Sequence, residues 1–274
     1  MTPGETPRFA SNGKRLVLMD FALAKSIIEV AEVESTNDLA RVLVAESPRE
    51  TPFAIRALRQ TKGRGRGANR WWSDEGSLTI SFVFEPEKLG LSPAHESRLA
   101  LIGALGLIET LADFQPVGRL GFRWPNDVEV GSKKIAGFLT ERVETAFGRF
   151  AILGMGVNVT TRMDSAPESV RKMATSLVDV ARAGLPPEIE GVLATFQERF
   201  QRYLLDLIHD RPNLPELWNA FDLLRDRPVK VAQGDHQVVE GIGAGIDPLG
   251  GLIVATDTGL QTLYGGSVIR ETSP

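Results

Sequence analysis

Apolar and polar positions alternate along SIIEVAEV, residues 26–33, and the alternation predicts a strand. The next segment, ESTNDLARVLVAES, changes period: Leu39, Val42 and Leu43 recur at helical spacing behind Ser35 or Thr36 as N-cap, so a helix is expected there. Two β-rich runs, PFAIRAL and SLTISFVF, read as the following strands. Pro93 opens an apolar run to residue 113 that reads as one long buried helix, after which GFRW, KKIAGFLTERV and FAILGMGVNV return to strand patterning. From 187 to 224 the period is helical again, with Leu193, Phe196, Phe200, Tyr203, Leu204 and Leu207 in one apolar stripe whose expected role is core packing. At Arg227-Pro228 the character changes once more. RPVKVAQ, VVEGIGAGID, GLIVAT and LQTLYGG, punctuated by glycine, predict a small antiparallel barrel of roughly 45 residues as a second domain. Residues 1–14, rich in Pro, Gly and polar side chains, are expected to form a loose tail, and no internal repeat or low-complexity segment is present.

Composition narrows the class. At 274 residues the chain can bury a substantial core, and a net charge of −4 removes any global electrostatic argument for binding a polyanion. The absence of cysteine excludes a disulfide framework, a thiolate zinc site and cysteine nucleophiles, and it suits a reducing compartment. Three histidines, His95, His209 and His236, share no ligand spacing. The most apolar N-terminal stretch is interrupted by Asp20, Lys25 and Glu29, so it has neither a signal-peptide core nor a membrane span. A cytoplasmic enzyme or binding protein is the expected class.

Against that acidic background one local segment stands out. Gln60 to Ser73, QTKGRGRGANRWWS, holds Lys62, Arg64, Arg66 and Arg70, with Gly63, Gly65 and Gly67 between them and two tryptophans after, and no acid before Asp74. Lying between two expected strands, it is a loop. Glycine lets backbone approach a ligand, arginine offers bidentate donors to a phosphate or carboxylate, and tryptophan offers a flat face to a ring. The pattern points to one anionic group. A second motif, RWPNDVEVGSKKIAG, places an amide and a carboxylate, Asn126 and Asp127, at a turn after Pro125, and returns Lys133 and Lys134 at the start of the next strand. A third, GMGVN, sets Asn158 behind Gly154 and Gly156. No P-loop, H-E-x-x-H or G-x-S-x-G motif occurs, and GIGAGID at 241–247 reads as turn and bulge glycines, since no third glycine or helix follows.

The order STN, QTKGRGRG with its tryptophan, RWPND, KKIAG, GMGVN and a terminal GGSVIR resembles the biotin protein ligases over roughly residues 28–271. The resemblance implies an α+β fold: a tail at 1–27, a mixed-sheet catalytic domain of the biotin/lipoate ligase type at 28–226, and an SH3-like β-barrel at 227–274. It implies an enzyme that uses ATP, with Mg2+, to convert biotin to biotinyl-5′-AMP and then modifies a lysine of a biotin carboxyl carrier protein, such as an acetyl-CoA carboxylase subunit. Carried over by residue, Ser35, Thr36 and Asn37 would hold the ureido head, and Gln60, the glutamine before the loop, would also bind biotin. Gly63, Arg64, Gly65 and Arg66 would fold over biotin and the adenylate. Trp71 would pack on adenine, Asn126 and Asp127 would lie near the phosphates, Lys134 would contact the carboxylate and α-phosphate, Gly137 would line the biotin pocket, and Asn158 would stand on the adenosine side. Lys134, Arg66 and Asp127 are then the expected catalytic set, with the loop cations neutralising the reacting anions. The loop is expected to be mobile until a ligand orders it. The metal ligands stay unassigned, and a homodimer is compatible with the family.

Two departures from the family pattern stand in the motifs. Asn69 replaces a third loop arginine, and Arg123 stands where relatives carry lysine before WPND. A lipoate or octanoate ligase or transferase would share the fold, but the GRGRG loop and RWPND favour the biotin branch. Fewer than thirty residues precede the first expected strand, too few for a winged helix-turn-helix, and the net charge is negative, so nucleic-acid binding is not expected. No membrane partner is expected either.

Overall fold

The computed structural model describes residues 23–210, 214–234 and 237–270. The expected tail at 1–14 and His236 lie outside the described residues.

The first strand, β1 (Ile27–Val33), leads through a two-residue turn into α1 (Thr36–Glu46), whose N-cap is Ser35. Strands β2 (Phe53–Gln60) and β3 (Ser77–Phe84) flank the glycine–arginine loop as expected. The apolar run after them is not one helix. After the short α2 (Pro86–Leu89), the run from Pro93 divides into α3 (Pro93–Glu96) and α4 (Leu99–Ala112). Side chains cause the break at 97–98: Ser97 Oγ and Arg98 Nε both donate to the Ala94 carbonyl, at 2.8 and 3.1 Å, and Arg98 becomes the N-cap of α4.

Beyond α4 come β4 (Leu120–Arg123), β5 (Asp127–Val130), β6 (Lys133–Thr145) and β7 (Gly148–Asn158). β5 is a short strand that the sequence pattern had left inside a turn. It is followed by Gly131 at φ +64°, a left-handed position that suits glycine. Helical segments α5 (Glu168–Met173), α6 (Leu177–Val180), α7 (Ile189–Ile208) and α8 (Leu214–Phe221) precede a second group of strands. These are β8 (Pro228–Gln233), β9 (Gln237–Ile246), β10 (Leu252–Thr256), β11 (Gly259–Leu263) and β12 (Ser267–Val268).

The first seven strands form one mixed sheet in the order β1-β2-β3-β7-β6-β5-β4, in which β1 runs parallel to β2 and the remaining neighbours pair antiparallel. β3 is buried at every position because both faces of the sheet are covered. On one face α1 seals Ala40 and Val44 against Phe53, Ile55, Val83, Phe150 and Ile152. On the other, α4 and α7 pack a large apolar cluster. Within it Phe196 and Phe200, from the predicted stripe, stack with ring centroids 5.4 Å apart. Replacing such a ring with alanine costs about 3–5 kcal/mol, which is why the stripe is core and not site.

The last five strands form an antiparallel sheet ordered β11-β10-β9-β8-β12, and no pairing joins β11 to β12 among the described residues. Glycines of GIGAGID lie within β9 at a register irregularity opposite β10, so they serve the strand as expected. Val229, Val231, Ile246, Leu252 and Val254 of this sheet belong to the same apolar cluster as α4 and α7. The two sheets therefore share a core.

Candidate functional site

The parallel pairing of β1 with β2 sets Val33 opposite Gln60, so the N-terminus of α1 and the entrance of the glycine–arginine loop meet at one end of the sheet. Gln60 Oε1 accepts from the Thr36 amide at 2.8 Å and the Thr36 hydroxyl at 3.2 Å. Ser35 Oγ accepts from the Asp38 amide at 3.4 Å and caps the helix. Ser81, from β3, lies 2.6 Å from Asn37 Oδ1 and 2.7 Å from Thr36 Oγ1. Its single proton can serve only one of them. Asn37 Nδ2 donates to the Leu139 carbonyl and to Glu141.

The glycine–arginine loop is folded as a tight hairpin. Gly65 N donates to Asn69 O at 2.8 Å, Trp71 N to Gly63 O at 2.9 Å, and Arg64 and Arg70 form an isolated antiparallel bridge. Asn69, standing where a third arginine was looked for, closes the turn: its amide donates to the Arg66 carbonyl at 3.2 Å, with Gly67 at φ +63° inside it. The loop cations do not act as one patch. Lys62 pairs with Glu34 at 2.6 Å, and Arg64 with Asp38 at 2.6 Å and Glu141 at 2.9 Å. Arg66 donates to the carbonyl of Gly266, and its half-buried guanidinium has its pKa lowered, chiefly by burial, with Asp127 opposing.

Across the sheet, β5 and β6 bring Lys134 Nζ to 2.6 Å from Asp127 Oδ1 and to 5.6 Å from the centre of the Trp71 ring. Gly137 pairs with Asp127, and a side chain there would meet Lys134 Nζ at 2.9 Å, so glycine makes room for the lysine. Gly156 likewise makes room for the Trp71 indole, whose Nε1 is buried with no partner. Asn126 Nδ2 donates to the Phe138 carbonyl at 2.6 Å, and Asn158 Nδ2 to Thr175 at 3.0 Å, leaving Asn158 Oδ1 buried and unpartnered.

Two cavities result. The smaller encloses about 40 Å³ and is walled by Ser35, Thr36, Asn37, Gln60 and Arg64, with Gly137 and Gly154 beside them. That is room for a few waters, so a larger ligand must displace part of the loop or Trp71. The larger, about 500 Å³, carries Arg66, Arg70, Arg123, Lys134 and Arg270 around a single carboxylate, Asp127. Gly65, Trp71, Asn126 and Lys134 line both, so the Lys134 ammonium stands where the cavities meet. Gly63, although buried, is on neither wall; a Cβ there would meet Trp71 Cβ at 3.2 Å.

Four residues had no role assigned from sequence: Arg270, Glu129, Val170 and Met173. Arg270, inside GGSVIR, pairs with Glu129 and approaches Asp127 at 3.8 Å. Glu129 is buried behind it, and burial pushes its carboxyl above the usual range against Arg270 and Arg123. Val170 and Met173 of α5 line the larger cavity from a segment with no motif at all. Arg123 lines it too, desolvated and 3.9 Å from Glu129.

The fold and site define a ligase with adjoining polar and cationic pockets, and comparison with known proteins agrees. Residues 29–158 match the biotin/lipoate A/B protein ligase family and residues 226–270 the biotin protein ligase C-terminal domain. The biotin--[acetyl-CoA-carboxylase] ligase of Paracoccus denitrificans is 30% identical over 245 residues, 87% of this chain and 98% of that protein. The bifunctional ligase/repressor BirA of Bacillus spizizenii is 28% identical over 261 residues, 93% of this chain and 77% of its own. A biotin protein ligase from Aquifex aeolicus, solved in complex with biotin and ATP, superposes with a TM-score of 0.74 at 26% identity, covering 90% of this chain and 100% of that one. The chain belongs to the biotin protein ligases of the biotin/lipoate A/B protein ligase family.

Proposed function

We propose that this ligase condenses biotin with ATP at the junction of the two cavities and passes the biotinyl group to a carrier lysine. One observation carries the reading: Lys134 stands where a polar pocket opens into a cationic one. A carboxylate in the first and a triphosphate in the second would repel each other at their meeting point, and an ammonium there lowers that repulsion.

The smaller pocket presents acceptors and donors suited to a ureido ring, from Ser35, Thr36, Asn37 and Gln60. The biotin carboxylate oxygen attacks the α-phosphorus, pyrophosphate leaves, and a mixed anhydride remains. Arg66, Arg123 and Arg270 offer cations to the departing phosphates. Trp71 offers its ring face and Asn158 its unpartnered Oδ1, suited to an amine of a base. In the second step the carrier amine attacks the acyl carbonyl, the amide forms and AMP departs. Gly65 and Arg66 would cover the anhydride, excluding water while the carrier docks.

The donor set fits Mg2+ brought in with the nucleotide, since that ion needs only one or two carboxylates besides phosphate and water oxygens. Asp127 is the carboxylate in place, and the ion would neutralise phosphate charge. The partner implied by the acetyl-CoA carboxylase ligases among its relatives is a biotin carboxyl carrier protein. We take the cytoplasm as its compartment on the supply of ATP and the absence of cysteine. Exchange of labelled pyrophosphate into ATP tests the reading: it should require biotin, and exchange independent of biotin would refute it.

A further inference from the structure

Glu141 belongs to none of the motifs, yet it joins the polar pocket to the loop. It lies on β6 four residues beyond Gly137, its side chain only 10% exposed. Oε2 accepts from Asn37 Nδ2 at 2.7 Å and from Arg64 Nη1 at 3.2 Å. Oε1 accepts from Arg64 Nη2 at 2.9 Å and from Arg41 Nη2 at 2.6 Å. Asp38 accepts from Arg64 Nη1 at 2.6 Å. Two carboxylates thus face two guanidiniums, and the charge of Arg64 is answered inside the protein.

We propose that Glu141 is a positioning residue that sets the Asn37 amide and latches the loop through Arg64, making recognition of the ligand's head group and loop closure one event. An asparagine amide has two orientations, and its neighbours select one. Glu141 and the Leu139 carbonyl can only accept, so Nδ2 turns toward them and Oδ1 is left beside Ser81 and Gly154 on the pocket side. An acceptor there suits an N–H of a ureido ring. The same carboxylate takes both terminal nitrogens of Arg64, the fork-to-fork geometry of the stronger ion pairs. Arg64 follows Gly63 directly, so holding it holds the loop against the pocket.

Glutamine at 141 keeps the shape but replaces one oxygen with a donor. In either orientation that amide nitrogen faces Arg64, together with Asn37 Nδ2 or Arg41, donor against donor, so the hold on the loop opens. The inference rests on biotin being the head-pocket ligand, and the two readouts separate the questions. Calorimetric binding of biotin by Glu141→Gln should weaken roughly tenfold or more, with ATP affinity measured without biotin unchanged. Trypsin should cleave after Arg64 faster by a similar factor, and biotin should restore little protection. Arg41→Ala removes the carboxylate's other partner and should leave both within about twofold. The double variant Asn37→Ala/Glu141→Gln should lose less biotin affinity than the two single losses combined, because the Asn37 arm is then counted once. Failure of the unaltered protein to bind biotin would sink the functional reading, while the tryptic comparison would still judge the latch. Unchanged cleavage and unchanged biotin affinity in Glu141→Gln, or equal effects from Arg41→Ala, would overturn the proposal.

Discussion

The guanidinium of Arg66 donates to the main-chain carbonyl of Gly266, 200 residues along the chain, and so ties the glycine–arginine loop to the C-terminal sheet above the larger cavity. The loop is therefore held at both arginines of its GRGR core, at Arg64 by acids of α1 and β6 and at Arg66 by the segment before β12.

Arg66→Gly removes the second tether and leaves the first. Retention of the adenylate should suffer more than its formation, with release from the protein accelerated roughly tenfold or more. Filtration of a single-turnover mixture and labelling of a bystander protein measure this. Joint loss of adenylate synthesis and of labelling would mean that the cation Arg66 offers the departing phosphates outweighs its part in covering the intermediate.

Lys134→Ala should cut biotin-dependent adenylate formation at least tenfold to a hundredfold, since a charge-assisted contact contributes about 1.5–3 kcal/mol. Single-turnover formation of biotinyl-AMP reports it. A rate within twofold of the parent would remove Lys134 from the reacting centre despite its place between the cavities.

Gly156→Ala puts a methyl group 2.7 Å from Trp71 Cζ2 and 2.8 Å from its Nε1, so the indole must move. If that ring packs on adenine, ATP affinity should fall roughly two- to tenfold, and tryptophan emission should shift in the free protein. A shifted emission with unaltered ATP affinity would free Trp71 from that role.

Asp222 lies in the connection to the second sheet, where Oδ1 accepts from the Leu224 amide at 2.8 Å and Oδ2 is buried without a partner. Burial raises its pKa above 3.8, opposed by the Leu224 amide and by Arg225 and Arg119. The folded state then holds the proton more tightly than the unfolded one, so the Asp222 contribution is fully present below the unfolded value and is lost as pH rises through the folded value. In Asp222→Asn that loss cannot occur. The Tm difference, variant minus parent, should grow as pH rises above about 3.8 and then level off. A difference independent of pH would contradict it.

The two sheets looked separable in the sequence because the pattern changes sharply at Arg227. The structure joins the two by contacts that the pattern does not show. Trp124 Nε1 donates to the Gly250 carbonyl at 3.0 Å, Arg98 Nη1 to Pro248 at 3.1 Å, and residues of both sheets share one apolar cluster. A chain ending at residue 226 should accordingly expose Leu101, Trp124 and Leu224 and lose cooperative melting. A sharp transition near the parent Tm would restore the expectation of an independent first domain.

What could be read from sequence follows from the range of each signal. Strands β1, β2, β3, β6 and β7 and the stripe of α7 were legible because period and propensity are local. The break before α4 was not, because it depends on where two side chains find a carbonyl, and β5 was too short to show a period. Ser35, Asn37, Gln60, Trp71, Asn126, Asp127, Lys134 and Asn158 were nameable from motifs, and each lines one or both cavities. The loop itself was expected to be mobile until a ligand orders it, on the strength of four like charges and three alternating glycines. Its folded form depends on Glu34, Asp38 and Glu141, which are remote in sequence and belong to no motif.

The most direct test is transfer itself. Incubated with ATP, Mg2+, biotin and a biotin carboxyl carrier domain, the protein should add one biotinyl group to one carrier lysine, read as a single mass increment by intact-mass spectrometry, with none when ATP or biotin is left out or the target lysine is replaced. An unmodified carrier under conditions where an established biotin protein ligase labels it fully would contradict the account.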